Sequence, residues 1–164
     1  MTKANWMVTG LCLLGFGCAH GGDLAVESYP DDQAQVRKRL DEIWNSMAER
    51  DVPRLRSYHL YGPKFTEFKD GEPRGDATSG AAKEKEFTLA LVDPHVNMKD
   101  LAVNVYGDTA VATFNGDFRG QMGGAPIGMQ AQSTMVFVKY HGDWKVVHEH
   151  FSPLGAPPAP PPGK

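Results

Sequence analysis

Val36, Leu40, Ile43, Trp44 and Met47 recur at three- and four-residue intervals, and Arg37, Lys38, Asp41 and Glu42 fill the positions between them. That period predicts an amphipathic helix over residues 33–49, with Asp31 or Asp32 able to cap it after Pro30. A short second helix is predicted over residues 53–58, with Asp51 near its cap and Pro53 in its first turn, and Gly62-Pro63 breaks the region after it. Residues 64–68 suit a short strand ended by the Asp70-Gly71 turn. A third helix is predicted over residues 79–91, with Phe87, Ala90 and Leu91 on one side. From residue 96 the period shortens to two. Strands are predicted over residues 96–98, 101–106, 110–118, 128–140 and 144–151. Turn signals separate the later ones, at Tyr106-Gly107-Asp108, Met122-Gly123-Gly124 and His141-Gly142-Asp143. Helices first and antiparallel strands afterwards predict an α+β fold, in which a strongly bent sheet wraps over the helices and leaves a conical pocket.

The last strand carries the most information. Strict alternation puts Trp144, Val146, His148 and His150 on one face and Val147, Glu149 and Phe151 on the other. Both faces hold large apolar residues, so both are expected to be covered. The two imidazoles are then either satisfied core or interface groups, or polar groups aimed into a cavity. Residues 110–118 and 128–140 also offer two faces each. Which of them lines the pocket stays open, because a one-residue shift exchanges the faces. The candidate lining is Tyr58, Tyr61, Asn115, Gln130, Trp144, His148 and His150.

A carboxylate in an apolar pocket would have its pKa raised by burial toward neutrality, which suits abstracting a proton beside a carbonyl, and a histidine is the alternative base. Asp117 and His148 are the candidate catalytic groups. A zinc site on the His148 and His150 pair would need Glu67 or Asp117 to complete it. His20, His59, His95 and His141 show no ligand spacing, so no metal and no cofactor are expected.

The ends of the chain read differently from its middle. Lys3 precedes a short apolar run from Trp6 to Phe16, which is too short to span a bilayer and reads as an export signal over residues 1–17. Gly17-Cys18-Ala19 then resembles a bacterial lipoprotein processing site, with Cys18 as the lipidated residue. An ordinary secretory signal cut near Ala19 is the other reading. The expected location is the bacterial cell envelope, lipid-anchored, or else secreted or periplasmic. Residues 18–30 read as a tether, 31–152 as one domain and 153–164 as a Pro-rich disordered tail. Cys12 and Cys18 are the only cysteines, so the domain can form no disulfide. A formal net charge of −3 without a basic run argues against nucleic acid as a partner, and leaves Cys18 as the one route to a membrane.

Gly142-Asp143-Trp144-Lys145-Val146-Val147-His148-Glu149-His150-Phe151-Ser152 resembles the closing strand of SnoaL-like proteins of the nuclear transport factor 2 (NTF2-like) superfamily. It is most similar to the branch holding the association (hub) domain of calcium/calmodulin-dependent kinase. Asp93-Pro94-His95-Val96 resembles the start of a sheet strand in that branch. Gly124-Ala125-Pro126, with Gln130 and Thr134 after it, resembles its long hairpin. The resemblance spans roughly residues 31–153. It implies a cone whose pocket is the functional site, and often self-association. In the hub, basic residues in the pocket accept small carboxylates. The corresponding positions here are Asn115, Ile127 and Phe151, none of them basic, with Arg119 as the one nearby substitute. The expected ligand is therefore small, largely apolar and neutral, and the expected assembly is a homodimer. The alternatives are a non-catalytic oligomerisation domain, or an isomerase or cyclase of ketosteroid-isomerase type.

Overall fold

The computed structural model describes residues 23–154. The predicted export signal, Cys18 and the tail from residue 155 lie outside the described residues. The chain runs through α1 (Pro30–Ala48), α2 (Val52–Ser57), β1 (Thr66–Lys69), α3 (Ala77–Ala90), β2 (Leu91–Tyr106), β3 (Thr109–Met122), β4 (Ala125–Tyr140) and β5 (Asp143–Pro153). The five strands form one sheet in the order β1-β5-β4-β3-β2, with β1 parallel to β5 and every other pair antiparallel. This is the expected α+β layout, helices first and a curled, mostly antiparallel sheet after them.

The core lies between α1 and the concave face of the sheet. Val36, Leu40, Ile43 and Met47 of α1 are buried against Val103 and Val105 of β2, Ala110, Ala112 and Phe114 of β3, and Met135 and Phe137 of β4. Trp144 and Val146 of β5 complete it. α1 begins earlier than the spacing predicts. Pro30 occupies its first turn and Tyr29 the cap position, so Asp31 and Asp32 act as first-turn acids rather than caps. In α3 the buried stripe is Gly80, Ala81, Glu84 and Thr88, and Phe87 is turned toward solvent at 41% exposure.

Two features of the sheet depart from simple alternation. The segments predicted as 96–98 and 101–106 belong to one strand, β2. It carries extra residues at two points, where its pairing with β3 shifts between Val92 and His95 and between Lys99 and Ala102. Asp93 and Asp100 sit there with φ of 48° and 54°. The second departure is in β5. His148 pairs with Val136, yet Val146 pairs with the next residue of β4, Phe137, so Val147 is an unpaired extra residue. Trp144 and Val146 face the core before this bulge, and Glu149 takes the inward position after it.

Candidate functional site

The core does not fill the wide end of the cone. A cavity of about 300 Å³ opens there between α1, α3 and the sheet. Its walls are apolar, with Ile43, Trp44 and Met47 from α1, Phe118 from β3, Met129 and Met135 from β4, and Phe151 from β5. Trp44 and Phe118 meet at 5.3 Å between ring centroids, and Phe118 meets Phe151 at 5.9 Å. The indole N–H of Trp44 is buried with no protein acceptor. The polar side chains of its lining include the half-buried Lys69 and the buried Glu84 and Glu149, and Asp70, Lys83, His95 and Arg119 also border it.

Lys69, Glu84 and Glu149 belong to a buried ionic network assembled from four parts of the chain. The β5 bulge turns Glu149 inward, where it is 4% exposed. Its Oε1 lies 3.1 Å from His59 Nε2, and its Oε2 lies 2.9 Å from Lys69 Nζ. Parallel pairing puts Glu67 of β1 beside Glu149, and Lys69 Nζ is 3.1 Å from Glu67 Oε2 without hydrogen-bond alignment. Glu84 arrives from the small-residue stripe of α3. It accepts the Tyr61 hydroxyl at 2.7 Å and stands 3.3 Å from His59 Nε2. His59 itself is pinned against β5, because Val146 N–H donates to Tyr58 O at 2.9 Å and Leu60 N–H donates to Val146 O at 2.8 Å. Its Nδ1 is 3.0 Å from Leu55 O, and a carbonyl can only accept, so that nitrogen carries a proton. Tyr61 stacks on the imidazole at 5.1 Å.

The electrostatics follow from burial and contact. Burial alone would lower the His59 pKa, but the hydrogen bond to Glu149 and the charges of Glu149 and Glu84 outweigh it and hold the pKa above its ordinary value. Burial would likewise raise Glu149, yet Lys69 and His59 hold it well below the carboxylate range. Glu84 is raised, chiefly by burial, because its attraction to His59 is offset by the nearby charge of Glu149. Lys69 is raised by Glu149 and Glu67 against the opposing effect of burial.

Of the residues singled out in the sequence, Tyr61 joins this site, through its hydrogen bond to Glu84. The others sit elsewhere. Tyr58 packs beneath the Arg39 guanidinium, 4.3 Å from its ring centroid. Trp144 is sealed in the core at 1% exposure. The strand-face assignment of His148 and His150 is corrected by the bulge, which sends both to the outer face. There His148 Nδ1 is hydrogen-bonded to Thr66 Oγ1 at 2.8 Å, and Phe68 packs against both rings. Asn115, Asp117 and Gln130 are outside as well, because the inward residues of β3 and β4 are Ala112, Phe114, Ala131, Ser133 and Met135. Asn115 donates to Asp100, and Asp117 is paired with Arg119 at 3.0 Å. The hydrogen bond to Arg119 lowers the Asp117 pKa against the opposing effect of burial, and this acid of β3 is not part of the cavity lining. Glu67 points to the opposite face from His148, and Asp117, on a strand separated from β5 by β4, is paired with Arg119, so neither completes the zinc set considered from spacing.

The residues that sequence reasoning missed are His59, Lys69, Glu84 and Glu149. Glu84 had a signal, a lone carboxylate on a stripe of Gly80, Ala81 and Thr88. Glu149 shared its predicted face with Phe151, which is also where the cavity lies.

A family model for the SnoaL-like domain matches residues 36–156, and the chain belongs to that family. Solved structures of the NTF2-like superfamily share the fold. An NTF2-like protein from Streptomyces avermitilis, proposed to be a dehydratase, is 21% identical with a TM-score of 0.68, and the match covers 78% of this chain and all of that one. The hub homology domain of calcium/calmodulin-dependent kinase II from Chlamydomonas reinhardtii is 24% identical with a TM-score of 0.61, over 76% of this chain and 98% of that one. The association domain of the same kinase from Caenorhabditis elegans is 16% identical with a TM-score of 0.59, over 74% and 95%. No curated protein sequence matches the chain significantly.

Proposed function

We propose that this domain binds a small, largely apolar, neutral molecule in its conical cavity and seats that molecule's hydrogen-bonding end beside Lys69, Glu84 and Glu149. The observation that carries this reading is the convergence of apolar walls on Lys69, Glu84 and Glu149, in a cavity of about 300 Å³. Apolar walls with a few placed polar groups are the usual build of a small-molecule site. Lys69 is already committed to two carboxylates, so a carboxylate ligand would have to break those pairs, while a hydroxyl or carbonyl would not. The unpartnered Trp44 N–H is a second donor for such a group. Met129→Trp fills the cavity from β4 while leaving the ionic network in place. A thermal-shift panel of small alcohols, ketones and matched carboxylates, run with chelator, tests the reading. A neutral compound at about 100 times its Kd should stabilise the wild type by ~2.7 kcal/mol. Met129→Trp should abolish that response while keeping its own cooperative transition. Shifts produced only by carboxylates, or surviving in Met129→Trp, count against it.

The reading extends to where the domain works and how it is assembled. It is exported and held at the cell envelope by lipid on Cys18, and it pairs as a homodimer through the outer sheet face. Replacing Cys18 with Ser should move the protein from the membrane fraction to the soluble one. A wild-type protein that is already soluble and begins after Ala19 would show an ordinary secretory signal instead.

A further inference from the structure

We infer that His59, Glu84 and Glu149 form a binding site for one divalent transition-metal ion bordering the cavity. One donor atom from each lies within 4.8 Å of the others, and all three residues are buried. His59 Nε2 is 3.1 Å from Glu149 Oε1 and 3.3 Å from Glu84 Oε1. Neighbouring ligands of a metal bound at about 2.0–2.2 Å sit roughly that far apart. The imidazole is oriented for the task. Its Nδ1–H is given to Leu55 O, so release of the Nε2 proton now shared with Glu149 would turn a lone pair toward two carboxylates. A backbone carbonyl on the far ring nitrogen is the usual support of a metal-ligating histidine.

Charge balance supplies an independent argument. Glu67, Glu84 and Glu149 are all buried, at 2%, 8% and 4% exposure. Against them stand Lys69 and the proton that His59 Nε2 shares with Glu149; with that proton set aside, two negative charges in a water-poor site need a counter-charge. One divalent ion neutralises them, and in its absence two protons must. Glu67 Oε2 adds a further mark. It is buried with no hydrogen bond, yet stands 3.1 Å from Lys69 Nζ. When a metal takes Glu149, Lys69 has this second acceptor ready beside it. Glu84 and Glu149 also line the cavity, so the remaining coordination positions open toward bound molecules. One imidazole and two carboxylates with open positions suit Zn²⁺ or Mn²⁺.

The inference shares a cavity with the small-molecule reading, but its test detects metal rather than an organic ligand, so either can fail alone. Metal-free full-length protein is titrated with Zn²⁺ by calorimetry. One equivalent should bind, with protons released and tighter affinity at pH 7.5 than at pH 6. Glu84→Gln and Glu149→Gln should each weaken binding at least ~10-fold. The His148→Ala, His150→Ala double variant should bind like wild type. X-ray absorption on the Zn²⁺-loaded wild type needs no variant to fold, and should find one imidazole among oxygen ligands at about 2.0–2.1 Å. Absence of binding at about 100 µM Zn²⁺ overturns the inference. So do two imidazoles on the metal, or loss of binding in the His148, His150 double variant.

Discussion

Glu67 is a buried carboxylate held by neighbours that have almost no side chain. A Cβ built on Gly75 would lie 2.6 Å from Glu67 Cγ, and one on Gly80 would lie 3.1 Å from Glu67 Oε2. Gly75 also exchanges backbone hydrogen bonds with Glu67, at 2.9 and 3.2 Å, so it cannot drift away. The glutamate cannot retreat easily either, because its oxygens belong to the network with Lys69 and Glu149. Gly75→Ala should therefore cost about 1–3 kcal/mol, the usual penalty for overpacking a rigid site. Urea unfolding measures it, and a neutral result would mean Glu67 has room to move. None of this closeness was legible in the sequence. Glycines in a Gly-Glu-Pro-Arg-Gly stretch read only as loop, and His59 read as a scattered histidine, because its partners come from α3 and β5, at least 25 residues away.

At the scale of elements, periodicity located every helix and strand and failed where a strand gained a residue. The alternation over residues 144–151 is real on each side of Val147, but the unpaired Val147 reverses its sense. A bulge costs little locally and leaves no fixed residue signature outside its glycine-bearing form, so faces beyond it were misassigned. The same effect divided β2 into two predicted segments, 96–98 and 101–106, on either side of the bulge in which Asp100 takes φ 54°. Ends of elements are tied by charge as well. Arg39 of α1, 14% exposed, grips Asp143 at the start of β5, and Lys145 Nζ meets the same carboxylate at 2.7 Å. Burial would raise the Asp143 pKa, but Lys145 and Arg39 together lower it below its ordinary value. A lowered carboxylate pKa stabilises the fold above the unfolded value, near pH 4, and that contribution fades as pH falls through the folded one. Asp143→Asn should thus melt below wild type at pH 7, by no more than about 1 kcal/mol given the pair's exposure. The two melting curves should draw together as pH falls from about 4 through the folded-state pKa. A gap that is the same at every acid pH as at pH 7 would mean the loss is steric rather than electrostatic.

At the scale of the molecule, the helices cover one side of the sheet and leave the other without protein cover among the described residues. A row crosses that outer face from strand to strand: Val111 of β3 pairs with Val136 of β4, Val136 with His148 of β5, and His148 with Thr66 of β1. Val138 and Thr134 flank it, and Phe68, Tyr106 and Tyr140 are 42–46% exposed on the described surface. A mixed apolar outer face on a sheet is what a two-fold interface uses, the same patch meeting itself across the axis. The expected assembly of the 17.9 kDa chain is a homodimer at micromolar concentration, read by sedimentation velocity. Val136 stands in the middle of the row and is only half-buried in the single chain. Val136→Lys can therefore keep its ammonium in solvent in the monomer. In a dimer it would bring two like charges together and desolvate them, which costs several kcal/mol. The variant should sediment as a folded monomer with an unchanged far-ultraviolet spectrum. A wild-type chain that is already monomeric at tens of micromolar, or a Val136→Lys variant that still pairs, would place the contact on another surface.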